Sequence, residues 1–432
     1  MKKQGSLLLI LAGLVLAGLV IAAVPSLRDR VVYHLDQWRV KAYYALFPPE
    51  EAVFQPGGTP DSTVTAVPVV NTLTPTIVSQ PTAELLVVTP TVVVPTPTAL
   101  PQSYIITDVK WQNQQGIDRW NYCAPANLYM ALNYWGWSGT VYDVGDTMKP
   151  FQDDKNVMPY EMGDFILENT DYGAVIRYGG TLETIKNFIA NGFPVLIEKG
   201  TYILETTTNR MGWMGHYNFV NGYDDGRGVF IIQDSLLGAD YEIAYDVIEK
   251  EWRAFGNTFM LVYPPEREGE VFALLGDYAD VSNSYQMSAQ VAADETATLT
   301  GVDRFFAWFN RGSALVRLQD YNGAATAYDE AFRLYAELPD EERPWRMMWY
   351  QTGPYFAYFY TGRYQDVVDL ADLTISAANQ PYLEESWYWR GRAKAALGDL
   401  TGAQADICQS LEYHPGFPPA IEVSRNLGIF CP

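Results

Sequence analysis

The chain has 432 residues, room for more than one domain, and 29 Lys+Arg against 51 Asp+Glu give a formal net charge of −22. The first 50 residues hold six Lys/Arg and three Asp/Glu, which leaves a net −25 on the remainder. A body this acidic repels polynucleotides and excludes a nucleic-acid substrate or partner. Three cysteines and three histidines without a Cys-x-x-Cys pair argue against a structural zinc site, and no cofactor is indicated.

In chain order, residues 7–24 form an unbroken apolar run after Lys2 and Lys3. Its length just spans a bilayer core, and its end is a poor cleavage site. Residues 1–25 therefore read as an uncleaved single-pass signal anchor at the cell membrane, with a cleaved signal as the alternative. The two lysines favour a cytoplasmic N-terminus and an extracytoplasmic body. Within 26–54, Val31, Leu35, Trp38, Ala42 and Leu46 recur at helical spacing. A stalk and an interfacial helix lying on the membrane both fit. Residues 55–102 are a Pro/Thr-rich linker, with nine prolines and eleven threonines up to Pro101. At roughly 3.1 Å per residue it reaches on the order of 140 Å, which suits a domain held out from a membrane.

Residues 103–265 read as mixed helix and strand. Helices are predicted after Cys123, over 159–169 and over 181–191, and strands over 193–198 and 258–263. His216–Tyr223 and Gly228–Asp234 flank Asp224-Asp225-Gly226-Arg227, a hairpin signal. Helices preceding strands predict an α+β fold. Residues 266–302 read as an acidic connector with some helix. From 303 to 432 the pattern is helical and repeating, with the small residue of each first helix at Gly312, Gly353 and Gly391. It resembles tetratricopeptide repeats, best in its first and third copies; the second lacks an alanine three residues after Tyr364. The resemblance implies stacked helical hairpins with a concave face for a protein partner. Cys408 and Cys431 fall here; spacing alone leaves open whether they form a disulfide.

Cys123 carries the chemical expectation. It sits at the start of a helix-like run, where the positive end of the helix dipole favours thiolate. His216 is the one histidine between the linker and the repeats, so it is the base available to that thiol. The mean of 216 and 234 falls inside the turn, so a symmetric hairpin sets His216 directly opposite Asp234. The Cys123 N–H is one oxyanion donor, and Gln112, Gln114 or Gln115 offers a second. Metal binding by Cys123, His216 and Asp234 matches no strong spacing.

These residues, in order Gln, Cys-x-Pro, Gly-His-Tyr, Gly-Tyr-Asp and Gln-Asp-Ser, resemble the C39-like group of papain-fold cysteine peptidases. Residues 154–162 and Gly192-Phe193-Pro194-Val195 add to the likeness. The resemblance implies an α+β papain-like cysteine peptidase domain, with Cys123 the nucleophile, His216 the base, Asp234 its orienter and Gln115 the oxyanion donor. Two departures stand out: Ala124 follows the cysteine where the family has glycine, and Gln115 lies eight residues upstream of Cys123. The expectation is thus an N-terminal transmembrane helix, a peptidase domain acting on peptide or protein substrates, and an all-α repeat domain. An acyltransferase using the same thioester and a non-catalytic surface adaptor are the rivals.

Overall fold

The computed structural model describes residues 18, 24–47, 51–57, 99–114, 121–205 and 210–431. The expected anchor, 7–24, lies outside the described residues except for Gly18 and Val24. Among the described residues no helix is long and apolar enough to cross a membrane.

The N-terminal helix α1 is Pro25–Leu46, with proline in its first turn. It docks on the body through its buried Val40 and half-buried Tyr33 and Tyr44. Arg28 donates to the Glu242 carbonyl at 3.0 Å, and Arg30 pairs with Asp246 at 2.8 Å. The face carrying Val31, Leu35, Trp38, Ala42 and Leu46 points away from the body. Leu35 is 55 %, Trp38 71 % and Leu46 76 % exposed. After α1, Phe54 is buried among the repeats, edge-on to Phe332, and the Gly57 N–H donates to Asp366. Beyond the undescribed residues 58–98, the chain is docked again: the Pro101 carbonyl accepts from Tyr223 and the Gln102 carbonyl from the Asp225 N–H. The Pro/Thr-rich stretch, expected to hold a domain out from a membrane, is therefore bracketed by segments docked on one body. Its length does not separate α1 from the rest.

The next elements are β1 (Ser103–Ile105), α2 (Cys123–Tyr134), α3 (Val141–Met148), α4 (Pro159–Asn169), β2 (Gly173–Arg177) and α5 (Leu182–Ala190). They are followed by β3 (Val195–Glu205), β4 (Arg210–Asp224), β5 (Val229–Asp234), β6 (Gly238–Ala244), α6 (Tyr245–Arg253) and β7 (Phe259–Tyr263). The strands make one antiparallel sheet in the order β2-β7-β3-β4-β5-β6, with β1 added on β4. Both faces are covered, so the central strands are apolar throughout. Leu196, Phe219, Met260 and Val262 face α2, α3 and α4; Val195, Ile197, Val220, Phe259 and Leu261 face α5 and α6.

The predicted β4–β5 hairpin forms, but not symmetrically. Near the turn Gly222 pairs with Ile231, whereas below it Val220 pairs with Ile232. Asn221 is the extra residue of a β-bulge.

Residues 266–302 carry α7 (Glu268–Leu275) and α8 (Val281–Thr298). Small buried residues Ser284, Ser288 and Ala292 let α8 pack closely. The repeats follow as α9 (Gly301–Arg317), α10 (Tyr321–Glu337), α11 (Gly353–Tyr360), α12 (Tyr364–Ala377), α13 (Glu384–Ala396), α14 (Leu400–Tyr413) and α15 (Pro418–Leu427). Gly312 and Gly391 are small for a physical reason. A Cβ on Gly312 would come within 2.7 Å of Tyr328, and one on Gly391 within 3.0 Å of Ile407, each on the partner helix. Gly353 is not equivalent, because it opens α11 rather than lying inside it. The left-handed turn residues Gln319, Gly362 and Gly398 mark the true register, and it places Tyr355 where the other copies have glycine.

Cys408 and Cys431 form a disulfide that ties α14 to the segment after α15 across 23 residues. Closing such a loop restricts the unfolded chain by about 3 kcal/mol. Cys431→Ser, or reduction of the intact chain, should lower unfolding stability by about 2–4 kcal/mol in denaturant titration.

Candidate active site

The helix α2 begins at Cys123, with Pro125 in its first turn. Its opening turn abuts β4 just beyond the end of β5. Asn127, one turn in, fixes that approach. Its Nδ2 lies 2.8 Å from the Cys123 carbonyl, 3.0 Å from the Tyr217 carbonyl and 3.2 Å from Ser235 Oγ. The Cys123 thiol lies within electrostatic reach of His216 and of the Tyr217 backbone.

His216 and Asp234 are buried, and His216 Nε2 lies 3.0 Å from Asp234 Oδ1. They are not directly opposed as the symmetric hairpin predicts. The register of Phe219 with Gln233, continued one step, sets Asn218 opposite Asp234. Asn218 Nδ2 accordingly donates to Asp234 Oδ2 at 2.8 Å. His216 reaches the carboxylate diagonally from the same face. Asp234 Oδ1 also accepts from the N–H groups of Leu236 and Leu237, at 2.8 and 2.9 Å. The carboxylate is thus held from both oxygens. With Nε2 engaged there, Nδ1 is the nitrogen left for the thiol.

The electrostatics agree with the geometry. Burial pushes the Cys123 thiol up, but the hydrogen bond and positive charge of His216, the Tyr217 N–H and Lys149 hold it below its ordinary value. Burial pulls His216 down, yet the charge and hydrogen bond of Asp234, with Cys123, push it up to about 9. Burial would raise Asp234, but His216, Lys199 and the Leu237 N–H keep it far below the usual carboxylate range. All three directions favour a thiolate–imidazolium pair. Glu198, opposite Tyr217 on β3, is driven the other way: burial and the nearby thiol raise its carboxyl well above the ordinary range. The same burial disfavours a second negative charge beside the thiol.

Of the glutamines, Gln115 lies outside the described residues. Gln114 is buried, its Oε1 accepting from Ser235 Oγ at 2.6 Å, one residue past Asp234. Gln112 Nε2 donates to the Asn113 carbonyl. Asn127, Asn218, Glu198 and Ser235 were not foreseen from the sequence. Only Asn218 had a visible signal, a polar residue two positions from His216 and so on its face of the strand.

A cavity of about 780 Å³ adjoins the site. His216, Asp234, Lys199 and Trp213 line one wall; Tyr33, Asp36 and Arg39 of α1 line another. Cys123 is not among its lining residues, so it meets the histidine–aspartate pair away from that thiol. It is not by itself the cleft for a scissile bond.

Residues 106–260 match the family model described as the Peptidase_C39 like family, and 307–337 match that of the tetratricopeptide repeat. The chain carries a C39-like peptidase domain followed by a tetratricopeptide repeat. A crystal structure provisionally assigned to a C39-like peptidase from Bacillus anthracis is similar over 37 % of this chain and 96 % of its own, at 17 % identity and a TM-score of 0.30. No curated protein matches the chain.

The pair has a defined pH window. The contribution of His216, whose value is raised, is complete below its ordinary 6.5 and is lost as pH rises through about 9. Those of Cys123 and Asp234, whose values are lowered, are lost as pH falls through their depressed values. Iodoacetamide should therefore modify Cys123 at pH 6 far faster than it modifies free cysteine. His216→Ala should return that rate to the ordinary thiol profile, as mapped by mass spectrometry.

Proposed function

We propose that the chain is a membrane-tethered, extracytoplasmic cysteine peptidase that hydrolyses peptide bonds through Cys123, His216 and Asp234. The observation that carries this reading is a buried imidazole hydrogen-bonded to a carboxylate held at both oxygens, with a thiol at a helix start close enough for that imidazole to hold it below its ordinary value. The thiolate attacks the scissile carbonyl carbon and forms a tetrahedral oxyanion. The Cys123 N–H, unpaired within the helix by its position in the first turn, is one donor for that charge. A glutamine side chain upstream, Gln115 or the anchored Gln114, is the second. His216 gives its Nδ1 proton to the leaving amine as the C–N bond breaks and the thioester forms. It then takes a proton from the water that resolves the thioester. Asp234 keeps Nε2–H in place throughout and stabilises the imidazolium.

The repeat domain implies a protein partner, as a means of recruiting substrate. Transfer of the acyl group to an amine uses the same first half-reaction. A purely adaptor role would leave the ion pair without purpose.

With casein or a fluorogenic peptide library, Cys123→Ala should abolish hydrolysis. Asp234→Asn should reduce kcat by about 10²–10⁴, because the imidazole loses its orienting charge. Unchanged hydrolysis by the Cys123→Ala variant would sink the proposal; adding an amine nucleophile to the wild-type assay separates hydrolysis from transfer.

The tethering part of the proposal rests on the apolar run at 7–24 and on the exposed stripe of α1 that follows it. The Cys408–Cys431 disulfide fits an oxidising compartment. A chain begun at residue 24 should still co-sediment with zwitterionic vesicles. Leu35→Glu with Trp38→Glu should release it.

A further inference from the structure

A second cluster of chemistry-bearing groups lies where the peptidase domain meets the repeats. Asp154 comes from the loop between α3 and α4, and Glu161 from the first turn of α4. Glu384 and Glu385 open α13, and His414 follows the end of α14. Asp154, Glu384, Glu385 and the neighbouring Asn156 are buried. One donor atom each from Asp154, Glu384 and His414 lies within 4.8 Å of the others. His414 Nδ1 is 3.2 Å from Glu384 Oε1 and 3.8 Å from Glu161 Oε1.

The charges do not balance. Four carboxyl groups converge, and the buried cation beside them is Lys149, whose Nζ donates at 2.6 Å to the backbone carbonyl of Asp154. If ionised, the four carboxylates leave a net −2 once Lys149 and the half-buried Lys155 are both counted, and buried carboxylates left unpaired are costly. The hydrogen bonds do not balance either. Among the described residues, Glu384 Oε2, Glu385 Oε1 and both amide atoms of Asn156 are buried without a hydrogen-bond partner. Unpartnered buried oxygens on side chains that already converge are what an absent cation leaves behind.

We propose that Asp154, Glu384 and His414 bind one divalent transition cation, with Glu161 as the fourth protein ligand. A set of one imidazole nitrogen and carboxylate oxygens suits Zn²⁺ or Mn²⁺ better than Ca²⁺, which takes oxygen donors throughout. Zn²⁺ ligands at about 2.0–2.2 Å sit roughly 3.3 Å apart in a tetrahedron, so the most widely spaced donors need close by about 1.5 Å at most. Such a cation joins two domains. It also stiffens the nucleophile's approach, because Asn121, two residues before Cys123, donates at 2.8 Å to the carbonyls of both Gln152 and Asp154. No sequence spacing announces this site: its ligands lie up to 260 residues apart and come from four separate elements.

The test uses the full chain, stripped of metal and titrated calorimetrically with ZnCl₂, MnCl₂ and CaCl₂, alongside thermal unfolding. The expected result is one Zn²⁺ or Mn²⁺ per chain and a Tm that climbs further beyond saturation. Glu384→Gln keeps the side chain's shape and His414→Ala removes a donor; each should weaken binding at least about tenfold. Cys123→Ala should bind as wild type does, which excludes the catalytic thiol as the ligand. The proposal is overturned if wild type binds neither Zn²⁺ nor Mn²⁺, if Ca²⁺ alone binds, or if Glu384→Gln binds undiminished. Should His414→Ala fail to fold, the wild-type titration and Glu384→Gln still decide.

Discussion

One inserted residue determines which side chains meet. Without the bulge at Asn221, the pairing of Gly222 with Ile231 would run on unbroken and set Asp234 opposite Phe219. A slip of one residue moves a side chain to the other face of a sheet. Asp234 would then point with Phe219 toward α2, and His216 would lose its carboxylate. The bulge is held in place. The Asn221 carbonyl accepts from the Ile106 N–H, its Nδ2 donates to the Ile106 carbonyl, and its Oδ1 accepts from Gln233. The short strand β1 and the segment after it therefore help set the geometry that brings His216 to Asp234, though neither contributes a side chain to that pair.

The sequence made the outline of the site readable and concealed its register. Cys123 at a helix start and His216 before a turn are local signals, and the helix and strand hold them where local pattern says. The pairing of His216 with Asp234 was right in partner and wrong in path, since it assumed a hairpin symmetric about residue 225. A bulge leaves no periodic trace; Asn221 is only a polar residue in an apolar strand. The supports were harder still. Asn127 reads as one more helix position, yet it bridges the backbone of Cys123, the backbone of Tyr217 and Ser235. In the repeats, glycine alone suggested periods of 41 and 38. The left-handed turn residues Gln319, Gly362 and Gly398 give 43 and 36, because Tyr355 occupies the position where glycine is expected. The helical spacing on α1 was correct, but it marked the outward face: burial on this helix follows Tyr33, Val40 and Tyr44 instead.

The two domains are joined by much more than a connector. Arg253, at the end of α6, pairs with Glu295 of α8 and Asp303 of α9, and the Arg253 carbonyl accepts from Asn310. Trp213 on β4, three residues before His216, stacks on Phe255 and Phe306, the latter from α9. A single aromatic cluster thus runs from the strand that carries His216 into the first repeat. Half-buried ion pairs of this kind add little stability individually. Their value is geometric, since each fixes the angle at which the repeats meet the sheet. Reorienting the repeats would disturb the strand from which His216 projects.

Phe54 and Gly57 on one side of residues 58–98, and Pro101 and Gln102 on the other, are fastened to the same body. The two flanks of the intervening 41 residues are therefore closed on one protein body. Lengthening such a loop is cheap, about 0.6 kcal/mol for each doubling, so its length and composition are free to drift. A cut there would leave a short N-terminal fragment whose hold on the larger one, among the described residues, includes Val40, Phe54 and their polar neighbours.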